Sequence, residues 1–144
     1  MGLAERGVLR SLRETPEAPG RALFQFVWLH ARPMELRCDA RRDSLILRAL
    51  LPGVEPRSEI DRDVRAYVRG RIESKLPAHR RLDPARVEAR CVRKGGALEI
   101  ALRVRRNHYH YATTKALNLA QEIFAMLGVH HVEYMVERFG MSDE

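Results

Sequence analysis

Asn107-His108-Tyr109-His110-Tyr111 is the stretch whose residue types most invite chemistry. Two histidines two positions apart share a face of an extended chain, and imidazole is a ready ligand for zinc or iron. His130-His131 supplies a second pair further on. If the intervening residues are helical, roughly 17 of them at 1.5 Å each set the pairs about 25 Å apart. One subunit would hardly join them around one ion. His108 and His110 are therefore the only metal candidates, and no metal or cofactor is expected. The plainer reading is an aromatic, polar junction between a strand and a helix.

Covalent catalysis needs a nucleophile beside a base, and acid–base catalysis needs paired groups in a pocket. Cys38 and Cys91 lie in rows that alternate with polar residues, which turns them toward a core as small apolar side chains. Ser11, Ser44, Ser58, Ser74 and Ser142 have no glycine-flanked turn around them. Gly95-Gly96 suits a hairpin and not a phosphate-binding loop. No catalytic residue is assigned.

Arginine is the other conspicuous chemistry. Of 26 basic residues 23 are arginine, and the net charge is +7 with a pI near 10.1. Residues 107–144 hold two basic and five acidic side chains, so the excess positive charge lies before them. A basic chain invites a nucleic-acid reading. Two places could serve it. Arg62, Arg65 and Arg69 would form a row on a helix, although acids beside them also suit an ordinary solvated face. A sheet face would carry Ile46, Arg48, Leu50, Arg90, Val92, Ala101 and Arg103. Arginine mixed with aliphatic residues is typical of a protein interface centre. No aromatic residue joins that face, and single-stranded bases need such platforms.

The elements that must position these residues come as a repeat. A shift of 53 positions lays Glu35-Leu36-Arg37-Cys38 on Glu88-Ala89-Arg90-Cys91, and Leu45, Leu47 and Leu51 on Leu98, Ile100 and Val104. Each copy reads strand, turn, strand, helix. Met34, Leu36, Cys38 and Ala40 alternate with Glu35, Arg37, Asp39 and Arg41, and Leu45, Leu47, Ala49 and Leu51 return along the core face. Ser58 with Asp61 caps a helix striped by Ile60, Val64, Tyr67, Val68, Ile72 and Leu76, which Pro77 ends. In the second copy Leu117, Ala120, Ile123 and Leu127 form the stripe and Gly128 the C-cap.

These elements predict an α+β fold: duplicated ββα units forming a four-stranded antiparallel sheet, helices packed on one face, and a short N-terminal helix in front. That helix is placed over 21–31, where Leu23, Phe26, Val27 and His30 fit a helical face and Phe24, Phe26 and Trp28 fit a strand equally. The domain plan is a flexible N-terminal arm at 1–20 and a single domain at 21–144. The latter holds repeat one at 34–76, repeat two at 87–128, and a C-terminal helix at 129–140. In element order alone, a helix and then ββα twice, the chain resembles type III secretion chaperones and related α+β dimerisation folds. No function is carried over on that ground.

The early residues lack the apolar core of a signal peptide, and the run from Ala22 to Ala31 is too short to cross a bilayer. A cytoplasmic location without membrane contact is expected. Together these features predict a non-enzymatic protein-interaction module, adaptor-like or chaperone-like. Its partners would be a second copy, as a homodimer, and another protein. The alternative is a nucleic-acid-binding protein using the arginine-rich sheet face or the first-helix row. A small-ligand or metal-dependent enzyme comes third.

Overall fold

Strand alternation and tight turns carry most of this chain into one antiparallel sheet, seen in a computed structural model that describes residues 10–18, 21–27, 33–73 and 76–140. Among the described residues six strands are formed: β1 (Arg10–Ala18), β2 (Arg21–Val27), β3 (Pro33–Asp39), β4 (Ser44–Pro52), β5 (Val87–Lys94) and β6 (Ala97–Val104). Their order across the sheet is β1-β2-β3-β4-β6-β5. The four strands read from the sequence are β3 to β6, and β4 and β6 lie at their centre. Three helices follow the hairpins: α1 (Glu59–Arg69), α2 (Tyr109–His130) and α3 (Val132–Phe139). The fold is α+β.

Register explains the core. Leu36, Leu47, Ile100 and Cys91 stand opposite one another across four strands, as do Cys38, Leu45, Leu102 and Ala89. Leu45, Leu47 and Ile100 are completely buried. Against them α2 presents Ala112, Ala116 and Ala120, four residues apart and all inaccessible, so the helix axis approaches the sheet closely. Ile123 and Leu127 fill the space beyond, and Val64 and Val68 of α1 close the side over β5.

Local signals set the ends. The Ser58 hydroxyl accepts the Asp61 amide at 3.2 Å, and Gly95 and Gly96 adopt positive φ in the β5–β6 turn. Gly140, also at positive φ, caps α3.

Several expectations are corrected. Arg21–Val27 is a strand and not a helix, pairing Phe24 with Leu36 and Phe26 with Met34; the period-two alternation prevails because β3 offers an edge to pair with. A strand there replaces the leading helix on which the likeness in element order to secretion chaperones rested. Arg10–Ala18, assigned to the arm, forms β1 against β2; residues 1–9 lie outside the described residues. The first helix stops at Arg69, well before Pro77. Gly70 then opens a single 3-10 turn that leaves Ile72 54% exposed. Gly128 is interior to α2, which continues to His130, and the break comes at His131.

Ala49 departs from the core face altogether. The β4–β6 register slips between Leu47 and Leu51, where Arg48, Ala49 and Leu50 stand against Glu99 alone, and Ala49 takes φ 49° within this β-bulge. Leu50 and Leu51 consequently both reach zero exposure, although they are neighbours in sequence.

Candidate functional site: an arginine-rimmed groove beside β5

Two cross-strand rows define the site from the sheet. Ser44, Arg103 and Glu88 lie opposite one another, and so do Ile46, Ala101 and Arg90. Both rows alternate with the buried core rows, so they occupy the other face of the sheet. Together with Val68, Arg69 and Ile72 from the end of α1, and Leu82 and Pro84 from the loop before β5, they line a groove of about 810 Å³. It borders β5, the terminal strand of the sheet. Two smaller hollows adjoin it through Pro84. One of about 430 Å³ lies by Arg81, Arg86 and Tyr111, and one of about 550 Å³ by Arg103, Arg105 and Arg106.

Charge decides what such a groove can hold. Arg42, Arg69, Arg90 and Arg103 line it and Arg106 lies next door; all five are exposed. None of the five forms an ion pair or side-chain hydrogen bond with another of the described residues. Glu88, one of the two acids of the lining, is engaged by Arg105 at 2.7 Å. The floor on the sheet face is aliphatic, Ile46 with Ala101 at 7% exposure, while Val68 lines the groove from the helix side. Unpaired guanidinium groups around an apolar floor suit carboxylates carried on an apolar chain.

The seven sheet-face residues named from the sequence are divided by the structure. Ile46, Arg90, Ala101 and Arg103 come together in the groove. Arg48 instead meets Glu35 at 3.7 Å, and Val92 stands half-buried opposite Glu99. Leu50 is fully buried within the chain and presents nothing to a partner, because the bulge at Ala49 turns it inward.

The helix row separates as well. Arg65 donates from Nε to Asp61 Oδ1 at 3.2 Å and from Nη1 to the Cys91 carbonyl at 3.2 Å. Asp61, at 6% exposure, also accepts Arg93 Nη2 at 2.8 Å, while Arg93 reaches the Val54 carbonyl through Nη1. That buried carboxylate ties α1 to β5. Arg62 bonds the Arg57 carbonyl at 3.0 Å. Only Arg69 of the row reaches the groove.

The histidine pentad serves local architecture. Arg106 and Asn107 both adopt positive φ, and His108 Nδ1 lies 2.8 Å from the Arg105 carbonyl, closing the turn into α2. His110 is exposed. His131 meets Asp63 of α1 at 2.7 Å. Among the described residues no three His, Cys, Asp or Glu side chains are grouped to hold a metal ion. The Tyr111 hydroxyl accepts the Asp83 amide at 2.9 Å, and its ring lies under Arg86 and Lys115. Burial raises the pKa of the Tyr109 phenol, with the nearby Asp43 carboxylate adding to it.

Beside the groove, Tyr67, Arg71, Arg80 and Glu122 form a compact cluster. Tyr67 donates to Glu122 at 2.6 Å, Arg71 lies over the Tyr67 ring at 4.0 Å and reaches the same carboxylate at 3.1 Å, and Arg80 approaches it at 3.6 Å. It joins α1 to α2. Burial pushes the Cys91 thiol up to about 11, the Arg65 guanidinium opposing that rise. No pattern in the sequence marks Ile72, Leu82 and Pro84 as groove walls, except that Gly70 could end the helix early and expose the apolar residue after it.

No protein-family model, curated protein or solved structure matches this chain. Among the described residues no helix is long and apolar enough to cross a membrane.

Proposed function

We propose that this chain is a non-enzymatic protein-interaction module of the cytoplasm, adaptor-like or chaperone-like, whose contact surface is the groove beside β5. One observation carries the reading. Four residues from three strands, Ile46, Arg90, Ala101 and Arg103, line a single groove with Arg69 from α1, and its arginines form no ion pair among the described residues. Aliphatic floor and arginine rim are the composition that interface centres favour. A homodimer is part of the same proposal. The net negative stretch at 107–144 and the positive remainder give two copies complementary charge.

The test is Ile46→Glu, which sets a carboxylate in the floor of the groove. Light scattering should give a dimer for the parent protein. Immobilised parent protein should capture a partner from the source organism, and the variant should lose that capture at an unchanged melting temperature. A parent protein that is monomeric at every concentration removes the homodimer. Capture that survives Ile46→Glu removes the groove as the contact surface.

We also read the two ββα units as copies of one ancestral unit. Leu47 stands opposite Ile100, 53 positions later, which is the repeat spacing. A two-fold axis through that pair carries Leu45 onto Leu98, and the bulge at Ala49 is where the copies diverge.

The unpaired arginines favour a second reading, nucleic-acid binding along Arg42, Arg69, Arg90, Arg103 and Arg106. Phosphates would meet those guanidinium groups, but the groove lining holds no aromatic ring for a base. Binding to a generic oligonucleotide that falls steeply with salt would support it.

A further inference from the structure

Beyond a generic contact surface, the main chain of β5 indicates the shape of what enters the groove. On an antiparallel strand, alternate residues turn both main-chain groups to the same edge. Val87 donates its N–H to the Asp83 carbonyl and Cys91 offers its carbonyl to Arg65, so the odd-numbered residues of β5 face the open side of the sheet. Ala89 lies between them and lines the groove. An extended chain laid there finds a main-chain donor and acceptor at Ala89, with Arg69, Arg90 and Arg103 around it.

We infer that the groove takes an extended acidic segment of a partner protein, its backbone paired at Ala89 and its carboxylates held by Arg69, Arg90 and Arg103. The inference rests on the interaction-module reading. Strand addition supplies main-chain hydrogen bonds, while pockets for alternate side chains select the sequence. Carboxylates suit the rim because guanidinium groups bind them in a planar, two-pronged fashion. Aliphatic side chains between them turn to the opposite side of that strand, toward Val68, Ile72 and Leu82 of the lining.

Fluorescence anisotropy on the full chain tests this with a short labelled peptide of alternating valine and glutamate. Its valine–glutamine counterpart and a single-stranded oligothymidylate serve as competitors. The acidic peptide should bind, bind more weakly as salt rises, and resist both competitors. The double variant Arg90→Glu/Arg103→Glu should weaken binding by at least about tenfold at an unchanged melting temperature. Equal binding of the glutamine peptide, displacement by oligothymidylate, or full affinity in the double variant overturns the inference.

Solution mass separates its failure from that of the broader reading. Suppose the acidic peptide does not bind, yet the parent protein is a dimer that the double variant breaks. The occupant is then a second copy, and the interaction module stands without the acidic segment. No peptide binding, no dimer and no partner captured by the parent protein would end both.

Discussion

The amide of Ala49 donates a 2.8 Å hydrogen bond to the carboxylate of Glu99, a side chain only 6% exposed on the neighbouring strand β6. The bulge takes that amide out of the regular ladder, and the carboxylate satisfies it in place of a carbonyl. Ala49 pays for this geometry with φ 49°, a left-handed conformation disfavoured for any residue with a Cβ. Ala49→Gly should therefore be neutral or stabilising by up to about 1 kcal/mol, against the usual loss for glycine in a strand. Glu99→Ala should cost about 1–3 kcal/mol through the lost charged hydrogen bond. Urea unfolding midpoints check both.

Cys91 should be chemically quiet until the chain opens. Its thiol is raised from 9.0 to about 11, so near neutral pH almost none of it is the nucleophilic thiolate. The folded thiol keeps its proton at a pH where the unfolded one has lost it. That contribution to stability is thus complete below pH 9 and fades between pH 9 and about 11. Maleimide labelling followed by mass spectrometry should modify Cys91 in denaturant and leave it largely untouched in the native state. Cys91→Ala should flatten the loss of stability between pH 9 and 11.

Removal of α3 should expose a genuine part of the core. Met135 is 1% exposed, and Phe139 packs edge-to-face on Phe124 at 5.2 Å and on Tyr134 at 6.0 Å. Tyr134 also donates to the Pro52 carbonyl at 2.7 Å. Truncation after His131 spares α2 and the contact between His131 and Asp63. It should still cost about 3–6 kcal/mol, since Met135 and Phe139 each contribute about 1.5–3 kcal/mol when buried. A large drop in melting temperature, or aggregation, is the expected readout.

The parts of this fold that were legible are those fixed by neighbours in sequence. Ser58 caps α1, Gly95-Gly96 turns the hairpin, and Leu45 and Leu47 face the core by alternation. What the sequence concealed depends on distant residues. The bulge at Ala49 needs Glu99, fifty positions away. Arg21–Val27 fits a helical and an extended pattern equally, and pairing with β3 decides between them. Gly128 resembles a helix end, but α2 continues past it over a buried Leu127. The groove was half visible. Its sheet rows follow from alternation, while its other wall depends on where α1 stops and how the loop through Leu82 and Pro84 returns.

Leu50 and Ile46 sit four positions apart on one strand, and regular alternation would place both on the same face of the sheet. The bulge between them separates their fates. Leu50 has no exposed surface, so Leu50→Glu would bury an unpaired carboxylate among core residues. That substitution should cost several kcal/mol, about 3–5, and leave little folded protein. Ile46 is half-buried and lines the groove, so a carboxylate there can still reach water. Ile46→Glu should change stability by less than about 1 kcal/mol while placing negative charge where an acidic segment would lie. Circular dichroism melts of the two variants, read beside peptide binding, decide the matter. Loss of fold for Leu50→Glu and loss of binding alone for Ile46→Glu would locate the working surface in the groove, and the reverse pattern would place it elsewhere.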